Sequence, residues 1–144
     1  MMARTFEIAP WRQFANWSVA RLLRLGVPMG NNYLLTVPGR KTGELHSTPV
    51  TLVERDGERY LVAPYGIVDW VHNARAAGKV TLSRGRVQEH VDIIELEPAD
   101  AAPILKQYVH EVPIVRPYFD ADKDSSLAHF EAEAPRKAVF RLVV

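Results

Sequence analysis

Apolar residues along the chain change period several times, and each change marks an element. From Pro10 to Leu25 the spacing is helical, with Trp11, Phe14, Ala15, Ser18, Leu22 and Leu25 on one face. Pro10 suits a first turn, and Gly26-Val27-Pro28 ends the run. Arg12, Arg21 and Arg24 lie off the apolar face. Residues 1–30 therefore read as a helical lid packed on the strands beyond it. The same pattern also suits a basic amphipathic helix on an anionic membrane surface. From Asn32 the period falls to two. Leu34, Leu35 and Val37 form a first strand, closed by Pro38-Gly39-Arg40-Lys41-Thr42-Gly43. His46–Arg55 alternates His46, Thr48, Val50 and Leu52 with Ser47, Pro49, Thr51 and Val53, and Pro49 marks an edge or a bulge. Asp56-Gly57 is a strong hairpin signal, after which Glu58–Ala63 returns antiparallel.

Pro64-Tyr65-Gly66 breaks that strand, and Ile67–Ala77 returns to helical spacing, with Ile67, Trp70, Val71, Ala74 and Ala77 on one face. Gly78 is its stop and Asp69 lies in its first turn. Lys79–Arg84 and Arg86–Leu96 are strands about Gly85, with a change of phase at Ile93-Ile94 that predicts a bulge. Pro98 opens a helix through about Val109, with Ile104, Leu105 and Tyr108 inward and a kink or restart at Pro103. His110–Asp124 reads as a long loop, the kind often functional or mobile. Ser125 or Ser126 caps a last helix through Ala134, and Lys137–Val144 closes with a strand. The sum is an α+β fold. About six mostly antiparallel strands form a small barrel flanked by an N-terminal helix and short helices, not a doubly wound parallel sheet.

Composition narrows the chemistry. The 144 residues read as one domain, 1–144, long enough to bury roughly two thirds of the unfolded surface. With no Cys, a disulfide framework, thiolate catalysis and Cys-bound zinc are excluded. His46, His72, His90, His110 and His129 are scattered, with no pair at metal-ligand spacing, so no metal site is expected. Residues 1–90 carry 12 Lys/Arg against 7 Asp/Glu, and residues 91–144 carry 6 against 10. That imbalance suits an anionic ligand on the first half but is too mild for a nucleic-acid binder. No apolar run reaches a membrane span and the start lacks a signal-peptide core, which reads as a cytoplasmic protein.

The loop Gly39-Arg40-Lys41-Thr42-Gly43 joins the most polar chemistry to the most apolar surroundings. Its glycines permit positive φ and close approach to a ligand, and its two cations suit phosphate or carboxylate. The alternative is a solvated turn with two surface cations. It is neither a GxxxxGK[ST] phosphate loop nor a GxGxxG fingerprint. His46 and Ser47 occupy adjacent strand positions and so face opposite ways, which excludes a catalytic dyad. Asp120, Asp122 and Asp124 lack the Gly and terminal Glu of a calcium loop. Trp70 reads as core. Tyr65 and Tyr118 each sit in a Pro-bearing loop, where a phenol either lines a pocket as a proton donor or simply packs.

The run LLTVPGRKTG-ELHSTPV-TLVERDGERYLVAPYG, followed by W-x-x-N-A-x-x-A-G, resembles the deazaflavin-dependent nitroreductase family. These are small actinobacterial split β-barrel proteins, distantly similar to flavin-nucleotide oxidases and reductases. The resemblance implies coenzyme F420, an 8-hydroxy-5-deazaflavin with an anionic phosphate and oligoglutamate tail; FMN is a weaker alternative. It implies that Gly39, Arg40, Lys41 and Thr42 hold the phosphate region and that Ser47, Thr48 and Pro49 lie along the deazaflavin. Ala63, Pro64, Tyr65, Gly66, Trp70 and Asn73 would border the same cleft. Hydride would pass to a small nitro compound, quinone or activated alkene, with Tyr118 first and Tyr65 second as proton or hydrogen-bond donor. The compact Pro64–Asp69 loop departs from the family pattern by carrying no Lys, so one anchoring cation is missing. A related subgroup binds fatty acids, and the basic first helix would fit that alternative: a non-catalytic lipophile carrier at the membrane. This barrel type often forms homodimers.

Overall fold

Strand β1 (Asn32–Pro38) meets β2 (Leu45–Arg55) as an antiparallel pair, and β2 turns at Asp56-Gly57 into β3 (Glu58–Val62). Both turn residues have positive φ, 52° and 79°, which the right-handed twist of a two-residue hairpin demands. The computed structural model describes residues 31–143. After β3 come helix α1 (Asp69–Ala77), strands β4 (Lys79–Arg84) and β5 (Val87–Glu95), and helix α2 (Pro98–Glu111). A 3-10 segment (Pro113–Tyr118), helix α3 (Leu127–Glu133), a short 3-10 turn (Ala134–Arg136) and strand β6 (Val139–Val143) complete it. The strands close in the order β1-β2-β3-β6-β5-β4, every pair antiparallel. The barrel and its flanking helices are those the alternating pattern predicts.

Among the described residues, two apolar clusters hold the fold. Inside the barrel, Leu35, Val37, Leu52, Leu61, Leu82 and Phe140 pack together, and α1 adds Val71 and Ala74. Outside it, Val53, Val62 and Val139 pack against Ile104, Leu105, Tyr108 and Phe130 of α2 and α3. Each buried Leu or Phe contributes roughly 1.5–3 kcal/mol. A strand whose two faces are both covered, as at Leu52 and Val53, is thus fixed in register.

Several expectations need correction. Helix α1 begins at Asp69, not Ile67; Ile67 and Val68 pack on the interior cluster from extended backbone. No bulge occurs at Ile93-Ile94, because β5 pairs with β6 without a skipped residue and Ile94 simply faces out, 47% exposed. Helix α2 runs through Pro103 without restarting and extends to Glu111. The segment 110–124 is not an open loop: Val115, Tyr118, Phe119 and Ala121 are buried in it. Glu133 holds it in place by accepting the backbone N–H groups of Asp120 (3.0 Å) and Ala121 (2.9 Å). The N-terminal helical lid and its membrane-surface alternative lie outside the described residues. Among the described residues no helix is long and apolar enough to cross a membrane, and no cluster of His, Asp and Glu could hold a metal ion.

Candidate functional site

The Gly39–Gly43 loop is closed twice: Gly39 N–H donates to the Glu44 carbonyl (2.7 Å) and Gly43 N–H to the Gly39 carbonyl (2.8 Å). Gly43 has φ of 73°, as expected, but Gly39 is not among the positive-φ residues. Gly39 is needed for space instead. A Cβ there would meet Thr42 Oγ1 at 3.2 Å, His46 Nε2 at 3.3 Å and the Glu44 carbonyl at 3.4 Å. Arg40, Lys41 and Thr42 stand exposed at the tip. Buried Asn73 of α1 fixes the tip from below, accepting at Oδ1 from Arg40 N–H (3.0 Å) and from Arg40 Nη1 (2.8 Å). Asp69 approaches Arg40 Nη2 at 3.9 Å but is 93% exposed, so water screens most of that attraction.

Next to this loop the barrel is split. Strands β2 and β3 pair only from Leu52–Leu61 to the turn. Beyond that point β2 continues from Thr51 back to Leu45 along β1, while the chain after Val62 diverges toward α1. Leu52 N–H donates to the Asn31 carbonyl on the β1 side. By the two-residue alternation, the backbone groups of Thr51, Pro49 and Ser47 face the split. Pro49 therefore lacks its N–H where no ladder bond is due, in keeping with the edge reading of that proline. The three predicted neighbours of a ligand do not act alike. Ser47 and Pro49 share one face, with Ser47 Oγ 2.7 Å from Thr36 Oγ1, while Thr48 points to the other. His46 and Ser47 diverge as expected.

The other bank of the split is Ala63-Pro64-Tyr65-Gly66. Ala63 and Pro64 are buried, and Gly66 takes φ of 102° beside the Arg136 carbonyl. The structure brings the two candidate tyrosines together: their rings meet edge-on, centroids 4.9 Å apart at 83°. Tyr118 is 5% exposed and Tyr65 is half-buried in front of it. Trp70 is only partly buried and packs on Phe140, centroids 6.2 Å apart. Asp120, read as part of a solvated acidic loop, is paired with Arg136 at 2.8 Å.

One functional candidate escaped the sequence. Lys137 is 6% exposed; its Nζ donates to the Pro64 carbonyl at 2.8 Å and lies 5.0 Å from the Phe119 ring centroid. The compact loop with no Lys of its own is thus supplied with a cation from 73 residues downstream. Burial pushes the Lys137 ammonium below its usual range, against the pull of the Glu133 carboxylate. Nothing local in Pro135-Arg136-Lys137-Ala138 signals this, since lysines are almost always exposed. In the same apolar cluster as Phe119, burial raises the Tyr108 phenol well above its ordinary value, with Tyr65 adding to the shift.

A loop with two cations and a hydroxyl is thus anchored beside a gap lined by strand backbone, and such groups are chemically suited to an anion. Solved structures with the same architecture include one described as a domain-swapped dimer, with TM-score 0.57 and 23% identity over 93% of this chain and 99% of that one. An F420-H2 dependent reductase superimposes with TM-score 0.53 at 24% identity, covering 78% and 93%. A NimC/NimA family protein from Clostridium acetobutylicum does so with TM-score 0.54 at 11% identity, covering 89% and 81%. The model of the F420H(2)-dependent quinone reductase family matches residues 12–125, most of the sequence and nearly all of the site, and the chain belongs to that family.

Proposed function

We propose that this protein reduces a quinone, or a comparably electron-poor nitro compound or alkene, at the split between β2 and the 63–66 segment. The family's coenzyme, F420, supplies the hydride when bound in its reduced form. The residues present suit it. Arg40, Lys41 and Thr42 offer two cations and a hydroxyl to its phosphate, and the space kept open by Gly39 lets the loop stay tight. The bond to Asn73 uses one of the five Arg40 guanidinium N–H groups and fixes the side chain, which leaves others to meet an anion. The Ser47 N–H supplies a donor and the Ser47 and Pro49 carbonyls supply acceptors along the split. Ala63, Pro64, Gly66 and Trp70 close its other side.

Tyr65 is the residue placed to give a proton or hydrogen bond to the acceptor as negative charge develops on it, because it is the more open of the tyrosine pair. Tyr118 supports it from behind. The single observation that carries this reading is the gap in the β2–β3 ladder with the anchored Arg40 loop at one end. The test is direct: titrate purified protein with coenzyme, then mix reduced coenzyme with a panel of quinones, enones and nitro compounds. Return of the oxidised coenzyme's absorbance with at least one acceptor is expected. Absence of both binding and turnover over the panel would remove the reading. A fatty acid found on the purified protein in native mass spectrometry would replace it with a carrier role.

A further inference from the structure

The ammonium of Lys137 touches the residue immediately before Tyr65 and the residue immediately after Tyr118. It donates to the Pro64 carbonyl at 2.8 Å, and the face of Phe119 lies beneath it at 5.0 Å. Those two contacts tie the strand-exit segment of β3 to the end of the 3-10 segment, the two pieces of chain whose tyrosines meet edge-on. Ala63 N–H still reaches the Ala138 carbonyl, but Pro64 and Tyr65 have left the β3–β6 ladder, while Phe119 N–H donates to the Arg116 carbonyl of its own 3-10 segment. The segment carrying Tyr118 and Phe119 is itself anchored by Glu133, which accepts the Asp120 and Ala121 N–H groups, and by Arg136, which pairs with Asp120. Lys137 joins that anchored body to the segment that carries the tyrosine on the split.

Stability alone is a poor reason for a buried ammonium. A methionine would fill similar volume without the desolvation cost, and buried charges are often neutral or worse for stability than apolar replacements. What an apolar side chain cannot do is hold a carbonyl and a ring face at once. We propose that Lys137 is a positioning residue, clamping Pro64 and Phe119 so that Tyr65 is held against Tyr118 in a single orientation toward the split. This rests on the proposed role of Tyr65, and it adds that the orientation of the phenol is set from beneath by a cation outside the family-like motifs of the sequence.

The experiment compares Lys137→Met and Lys137→Arg with Tyr65→Phe and with the double variant Lys137→Met/Tyr65→Phe. The first readout needs no coenzyme: the near-ultraviolet circular dichroism that Tyr65→Phe removes reports the tyrosine pair. Lys137→Met should lose most of that same signal while the far-ultraviolet spectrum is kept. The second readout is kinetic. Lys137→Met should leave coenzyme affinity within about threefold and lower kcat by about 10- to 100-fold, with Lys137→Arg recovering part of it. In the Tyr65→Phe background the same change should cost little more. Should Lys137→Met not fold, Phe119→Leu, which keeps bulk but removes the ring under the ammonium, should weaken the dichroic signal and kcat in the same direction. An unchanged near-ultraviolet signal, or an equal kcat loss with and without the Tyr65 hydroxyl, overturns the positioning role. If the wild-type protein neither binds nor oxidises the coenzyme, the functional reading falls, and the dichroism still decides whether Lys137 sets the pair.

Discussion

Asn73 Oδ1 accepts two hydrogen bonds from Arg40, one from its backbone N–H at 3.0 Å and one from its guanidinium at 2.8 Å. One buried side chain on α1 thus fixes both the course of the loop and the aim of its cation. The anchor sits four residues into the helix, about 6 Å along its axis, so the loop is tied to the element next in sequence after the other bank of the split.

Arg40→Ala should weaken coenzyme binding by about 1.5–3 kcal/mol, the worth of a charge-assisted contact. Asn73→Ala keeps the charge but frees it, and should weaken binding less. It should also lower stability by about 1–3 kcal/mol, because the Arg40 N–H loses its acceptor. Calorimetric titration of both variants, with denaturant melts, separates the two effects. Equal affinity in wild type and Arg40→Ala would move the anion site away from this loop.

The two glycines of the loop should respond differently to alanine. At Gly43 there is open space and φ of 73°, so Gly43→Ala meets only backbone strain, about 1–2 kcal/mol. At Gly39 no positive φ is needed, but the new Cβ lies 3.2–3.4 Å from Thr42, His46 and the Glu44 carbonyl, which must give by a few tenths of an ångström to admit it. Gly39→Ala should therefore raise the coenzyme dissociation constant more than Gly43→Ala does at comparable loss of melting temperature. The reverse ranking would count against close packing as the reason for Gly39.

The strands are readable from sequence because one face of each is buried, so alternation tracks the barrel, and because Asp56-Gly57 has few other uses. The start of α1 is misplaced by the same logic. Ile67 is apolar because it packs on the barrel interior, not because it is helical. The segment 110–124 reads as a loop since Pro113 and Pro117 interrupt an α-helix or strand, yet it holds a 3-10 segment and is tied down by Glu133, further along the chain. The site divides in the same way. Its cations stand next to one another in sequence, whereas Asn73, which accepts from Arg40, and Lys137, which donates to the Pro64 carbonyl, act across 33 and 73 residues.

Acid should weaken the ion pair that joins β3 to β5. Arg59 on β3 donates two hydrogen bonds, both 3.0 Å, to the Glu89 carboxylate on β5, and this bonding holds Glu89 below its ordinary value. A depressed carboxyl contributes stability that is full above its unfolded value of 4.5 and is lost as pH falls through its folded value. With Glu89 36% exposed, screening trims the contribution to about 1 kcal/mol. Glu89→Gln should thus be less stable than wild type by about that amount at about pH 7, and the gap should be smaller at about pH 3. Urea melts at the two pH values measure it; a gap independent of pH would assign the loss to packing.

On the alkaline side two buried groups act with opposite sign. Tyr108 has its phenol raised, chiefly by burial, so the folded chain keeps a proton that the unfolded chain gives up above 10.0. Its contribution is present below that value and is lost as pH rises past it. Lys137 is lowered, chiefly by burial, with Glu133 and Asp120 opposing and Arg136 reinforcing the shift. Between its folded value and 10.5 the unfolded chain binds the extra proton, so this group makes the fold more stable as pH rises, relieving the cost of a buried charge. Urea melts from about pH 8 to about pH 11 should therefore show Lys137→Met losing a rise that wild type has below 10.5, and Tyr108→Phe losing a fall that wild type has above 10.0. A Lys137→Met curve parallel to wild type over that range would mean that the ammonium is hydrated in solution. The clamp on Pro64 would then lose the desolvation that distinguishes it from a surface contact.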